Sequence, residues 1–203
     1  MVAPAAERNA DVIAGLISDI APDSGRALEL ASGTGQHIVH LAAQNPGIIW
    51  QPSEVDPTRL ASIAAYIDES EASNLLPPIE LDATEPGWSA ACGKYDMILL
   101  VNLLHLISAK EAKNLITESR LALSDGGILV LYGPFMRNGV LTSDGDHRFH
   151  TSLVTEDPEI GYKNDIDVLD WLTDAGFATP DVFDLPANNL AFCAKANSPQ
   201  RRT

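Results

Sequence analysis

Cysteine is scarce in this chain, with Cys92 and Cys193 the only two in 203 residues. They form no Cys-x-x-Cys pair and are too few for a disulfide framework, which excludes a stapled secreted scaffold; both read as reduced cytosolic thiols. Basic side chains are in deficit as well: 13 Lys and Arg face 28 Asp and Glu, a formal net charge of −15. So acidic a surface repels phosphate backbones and anionic lipid head groups and offers no basic stripe for counterion release. Nucleic acid and membranes therefore drop out of the expected partners. Long apolar runs are missing too. The best, Met97 to Ile107, is interrupted by Asn102 and His105 and falls short of the roughly eighteen residues a membrane helix needs. No basic segment leads into an apolar one near Met1, because Glu7 and Arg8 arrive almost at once, so the sequence predicts a cytoplasmic protein without a cleaved address.

What is present is an ordinary globular composition, 45% hydrophobic and 20% charged, at a length suited to one domain. The pattern predicts that domain over residues 1–196, with 197–203 a loose tail. Val12, Ile13, Leu16, Ile17 and Ile20 share one helical face, closed by Pro22 to Gly25. Strand-like runs then alternate with helical ones: Arg26–Leu30, a helix through Ile38 and Leu41, Ile48–Trp50, a helix from Pro57 to Ser70, Pro78–Leu81, and the apolar run Tyr95–Val101. Ser108 with Glu111 forms a capping box opening a helix to about Leu123, and Ile128–Tyr132 is a fifth strand. Residues 133–164 lose the pattern and read as a long polar loop of the kind that serves as a lid. A helix through Ile166, Leu169 and Leu172 precedes Val182–Leu185 and Leu190–Ala194, which are too close for a helical crossover and must pair antiparallel. The expected fold is α/β: a Rossmann-like, doubly wound seven-stranded sheet with an antiparallel C-terminal hairpin.

In such a sheet ligands sit beyond the carboxyl ends of the strands, beside the first βα turn. Gly33 and Gly35 occupy that turn. Glu54, nineteen residues beyond Gly35, ends the second strand and is the favoured acceptor for the hydroxyls of a ribose. Asp56 competes for that role but, with Pro57 after it, also reads as a helix cap. Asp82, after the third strand, is placed either for an adenine amine or as a solvated turn carboxylate. Together these describe an adenosine-bearing cofactor. A dinucleotide fingerprint wants a third glycine where this chain has Ile38, which disfavours NAD and FAD. Glu29, four residues before Gly33, suits a cationic ligand instead, directly or by ordering the glycine loop, and S-adenosylmethionine carries a sulfonium and an ammonium.

The strings Glu29-x-x-x-Gly33-x-Gly35, Glu54, Asp82, Tyr95–Leu99 running into Asn102-Leu103-Leu104-His105, and Leu123–Leu129 resemble the ordered motifs of class I S-adenosylmethionine-dependent methyltransferases. More narrowly, Ala5–Asn9, Ala31–His37, Trp50–Ser53, Leu131–Phe135 and Pro186–Leu190 resemble the methyltransferase-like twenty-six family, which has no established substrate. The resemblance implies a methyltransferase acting on a small molecule, or else a non-catalytic module that binds the cofactor or its demethylated product. It implies S-adenosylmethionine contacts from Glu29, Gly33, Gly35, Glu54 and Asp82, to which Asn102 and Arg8 are added as nearby polar candidates.

The acceptor should face the ends of the fourth and fifth strands, near Asn102, His105, Tyr132 and Phe135. His105 is the candidate base, or a hydrogen-bonded histidine opening a helix; Tyr132 is the second catalytic candidate, or an ordinary strand aromatic. Arg8 and Asn9 precede the predicted first helix and either close over the cofactor's carboxylate or the acceptor or serve only in capping and solvation, while Asn188 and Asn189 suit a hairpin turn. Arg137, His147, Arg148 and His150 supply local positive charge that would meet an anionic substrate group. His37 with His40, and His147 with His150, lack neighbouring Cys or carboxylates at ligand spacing, so no metal site is expected. Ser32 lacks a Gly-x-Ser-x-Gly setting, which disfavours a hydrolase.

Overall fold

The computed structural model describes residues 1–197; the rest of the predicted tail lies outside the described residues. Eight strands form one sheet: β1 Gly25–Leu30, β2 Ile48–Glu54, β3 Ile79–Glu80, β4 Tyr95–Val101, β5 Leu123–Met136, β6 Lys163–Asn164, β7 Asp181–Leu185 and β8 Asn189–Lys195. Seven run in the order β3-β2-β1-β4-β5-β8-β7, and β6 adds two residues beside the far end of β5. All pairings are parallel except those of β8, which runs antiparallel to both β5 and β7. The predicted Rossmann-like sheet with its terminal hairpin is what the chain adopts. Helices are α1 Pro4–Ile20, α2 Gln36–Gln44, α3 Pro57–Glu69, the short α4 Ser89–Cys92, α5 Ala109–Ala122, α6 Asp144–Glu156 and α7 Asp165–Asp174.

Alternation along the central strands divides the interior in two. In β4, Ile98 and Leu100 face a core completed by Leu115 and Ile116 of α5 and Leu172 of α7. Met97 and Leu99 face the other side, where Ile13 and Ile17 of α1 and Ile38 and Leu41 of α2 pack. A strand with a core on each face is why Tyr95–Val101 reads as a nearly unbroken apolar run. The strand order turns at β1, which lies between β2 and β4, so the carboxyl ends of β1 and β4 diverge and open a crevice there.

Three differences from the sequence reading bear on that crevice. Helix α1 begins at Pro4, a residue pre-shaped for the first turn of a helix, so Arg8 and Asn9 lie within it rather than before it. Strand β5 extends to Met136. The supposed long loop contains α6, opened by Ser143, whose side chain accepts from Asp146 N at 3.1 Å. The capping box at Ser108 and Glu111 is present as read.

Candidate functional site

The two glycines of the βα turn do different jobs. Gly35 has φ 93°, and a Cβ there would lie 2.9 Å from Ile63 Cα, so its bareness lets α2 start against α3. Gly33, at φ 59°, has nothing within 4 Å of a built Cβ, and the space it leaves is the crevice. The turn is held from β2: Glu54, buried, takes Gly33 N on Oε2 at 2.9 Å and Val55 N on Oε1 at 2.9 Å. Arg59 Nη1 stands 3.8 Å from the same carboxylate. Asp56 caps α3, accepting from Thr58 N at 2.7 Å and Arg59 N at 3.1 Å.

Beneath the turn a cleft of about 370 Å³ runs between the ends of β1 and β4, with Glu29, Gly33, Asn102 and Leu103 in its lining and Met1 to Ala3 along its rim. Glu29 is 1% exposed, and its Oε2 has no hydrogen-bond partner among the described residues. Burial pushes its carboxyl up to about 8; the Ser32 hydroxyl opposes this and the nearby Glu54 charge adds to it. A buried acid left half-satisfied at the floor of a cleft costs free energy that a cationic partner would return.

A second chamber, about 880 Å³, adjoins the first, and Ala3, Arg59, Asn102 and Leu106 line both. Asn102 stands at the junction with φ 58°, a left-handed conformation in which its N–H donates to Tyr132 O at 2.8 Å. His105, from the short 3₁₀ turn Leu104–Leu106, is buried in the chamber wall. Its ring meets Phe149 edge-on at 5.5 Å and Tyr162 at 6.1 Å. Burial, with the Lys163 charge, lowers its imidazole to about 4, so the ring is neutral at pH 7. The Tyr132 phenol is raised by burial, opposed by a hydrogen bond with Asn9. Asn9 in turn accepts from His37, with Nε2 and Oδ1 2.8 Å apart, and His37 is itself lowered to about 4 by burial and His40.

The sequence profile of the family described as "Protein of unknown function (DUF938)" matches residues 1–195. The chain belongs to the DUF938 family. Among solved structures, the fold of this DUF938 chain resembles an O-methyltransferase family protein from Burkholderia thailandensis. That match has a TM-score of 0.81 at 16% identity and covers 97% of this chain and 58% of the other. Human N-acetylserotonin methyltransferase, in complex with SAM, matches at 0.79 and 13% identity over 96% of this chain and 53% of its own. An O-methyltransferase family 2 protein from Planctomyces limnophilus, in complex with apigenin, matches at 0.78 and 16% identity over 94% and 59%. The DUF938 chain thus has the class I methyltransferase fold and spans little more than half the length of these proteins.

Against that geometry, the DUF938 chain places Glu29, Gly33 and Asn102 in the cleft lining, and His105 and Tyr132 in the chamber. Asn102 belongs to both. Arg8 lines the chamber rather than the cleft, because α1 carries it past the turn. Gly35 and Glu54 support the cleft from behind. Asp82 is not among the lining residues; its Oδ1 accepts from Thr84 N at 2.9 Å and Thr84 Oγ1 at 2.6 Å, the turn-carboxylate alternative. Phe135 is buried against Phe192, ring centroids 5.0 Å apart, away from the chamber. The predicted basic patch disperses. Arg137 Nη2 pairs with Asp184 Oδ1 at 3.1 Å, His150 Nδ1 accepts from Tyr162 N, and neither His147 nor Arg148 lines the chamber. Sequence reasoning missed Arg59, Phe149 and Tyr162. Arg59 sits five residues after Glu54 in the first turn of α3, the one local signal available.

Proposed function

We propose that this chain is an S-adenosylmethionine-dependent methyltransferase acting on a small molecule in the cytoplasm. The observation that carries the reading is Glu29, a buried carboxyl with a vacant oxygen on the floor of a cleft that opens directly into a second chamber. The residues present fit the cofactor: an acid matched to a cationic ligand, and the uncovered Gly33 backbone that a flat group can approach. Glu29 and Gly33 would hold it from below, with Asn102 where the two spaces meet. Glu54 supports a ribose role only through the turn it shapes, since both its oxygens already accept backbone amides. When bound, the cofactor supplies a methyl group already activated on a sulfonium.

The chain's own contribution is then alignment and exclusion of water. The neutral His105 ring, with no hydrogen bond to its nitrogens among the described residues, is the group able to accept from an acceptor hydroxyl or amine. Tyr132 stays a phenol and positions Asn9. A joined second chamber favours an enzyme over a cofactor-binding module, which has no use for acceptor space. The narrower resemblance to the methyltransferase-like twenty-six family remains part of this reading, carried by its sequence strings, and the two free cysteines accord with the cytoplasmic location.

Calorimetry with S-adenosylmethionine, S-adenosylhomocysteine and NAD tests the cofactor, and transfer of a radiolabelled methyl into a metabolite extract tests the activity. Binding of both sulfur compounds together with a labelled small product is expected. NAD binding alone overturns the cofactor, and cofactor binding without any product overturns the enzyme.

A further inference from the structure

The acceptor chamber carries a charge of the opposite sign to the molecule that contains it. In a chain of net charge −15, its charged lining is two guanidiniums, Arg8 from α1 and Arg59 from α3, with no acidic side chain lining it among the described residues. Arg59 stands a long 3.8 Å from Glu54, its charge also reaches Asp56 at the start of its own helix, and its side chain is half exposed toward the chamber. The apolar lining has an equally definite form. His105, Phe149 and Tyr162 come from three separate segments, yet their rings meet edge to face with centroids 5.5 to 6.1 Å apart. Phe149 is 43% exposed, an aromatic face left partly open at the chamber. Ring walls of this kind favour a flat conjugated partner, and a planar guanidinium favours a carboxylate or similar planar anion. About 880 Å³ accommodates a molecule of one to three rings.

We propose that the methyl acceptor is a planar, conjugated small molecule bearing one anionic group, its rings against Phe149, Tyr162 and His105 and its anion at Arg8 and Arg59. This rests on the acceptor role assigned above to the chamber. It also relocates the anion contact from His147 and Arg148, which do not line the chamber, to Arg8 of α1 and Arg59 of α3, which do.

The test uses three probes of similar size, 2-naphthoate, 2-naphthamide and decahydro-2-naphthoate, titrated into the full chain with and without saturating S-adenosylhomocysteine. 2-Naphthoate should bind about tenfold or more tightly than either of the others, the scale of one charge-assisted hydrogen bond or one aromatic wall. Arg8→Gln and Arg59→Gln should each weaken 2-naphthoate severalfold and leave 2-naphthamide unchanged, whereas Arg148→Gln should change nothing. Phe149→Ala should weaken 2-naphthoate more than its decahydro analogue. Equal affinity for naphthoate and naphthamide, or for naphthoate and the decahydro acid, overturns the proposal, as does naphthoate binding indifferent to both arginine variants. If S-adenosylhomocysteine binds while naphthoate does not, the substrate class falls and the cofactor reading stands. If S-adenosylhomocysteine does not bind at all, the methyltransferase reading falls and the acceptor role with it.

Discussion

At the scale of single residues the decisive group is Glu29. In the free protein its carboxyl is raised to about 8 by burial, so it holds its proton at pH 7, whereas in the unfolded chain it would have lost it above about 4.5. The native state therefore binds one more proton than the unfolded state between those values, and stability contributed at low pH declines as pH rises through that window. A cationic ligand reverses the preference. S-adenosylmethionine binding near pH 7 should release up to one proton, seen as a dependence of the calorimetric enthalpy on buffer ionisation heat, and affinity should climb from pH 6 to 8 and then level. Glu29→Gln should abolish the proton release and raise the stability of the free protein at pH 8, by on the order of a few kcal/mol, but not at pH 5. Binding without proton release would remove Glu29 from the proposed cofactor site. This residue was legible in the sequence because its spacing from Gly33 fixes it to the end of β1. Arg59, Phe149 and Tyr162 were not, because they meet only in three dimensions.

At the scale of elements, α6 and the terminal hairpin form one unit. Asp146 accepts from Thr142 Oγ1, Ser143 Oγ, Tyr162 OH and Asn188 Nδ2, all between 2.7 and 3.1 Å, tying the helix to the turn between β7 and β8. Burial raises this carboxyl, but those four bonds outweigh it and hold the group below its ordinary range. Asp146→Ala should cost about 1–3 kcal/mol by stranding buried donors. The loss should appear as faster amide exchange over residues 144–156, with β4 and β5 unaffected; uniform acceleration across the sheet would mean that α6 is not a separately anchored piece. The sheet was readable because strands with two buried faces leave unbroken apolar runs. Helix α6 was not, because it buries little beyond Asp146 and Leu153 and therefore lacks an apolar stripe. Its one signal was the pair Ser143 and Asp146. The first turn of α1 was hidden for a similar reason: its N-cap, Ala3, offers no side-chain cap, and Pro4 to Asn9 holds no large apolar anchor.

At the scale of the whole molecule, a charge of −15 on 203 residues sets the surface against itself. Screening should relieve this, so the thermal midpoint should rise by about 2–5 °C between low salt and about 0.2 M NaCl, read by a thermal melt. A midpoint unmoved or lowered by salt would show that local pairs offset the excess. The order of the sheet has a consequence for how the chain is made. Strand β8 lies between β5 and β7, and its partners in β5 are the central residues Ile128 to Pro134. While a ribosome is still adding residues 189–195, β5 presents a bare hydrogen-bonding edge and β7 has no neighbour, so the nascent sheet is an open template for other chains. Premature termination within β8 would produce an aggregating polypeptide rather than a shortened but folded chain.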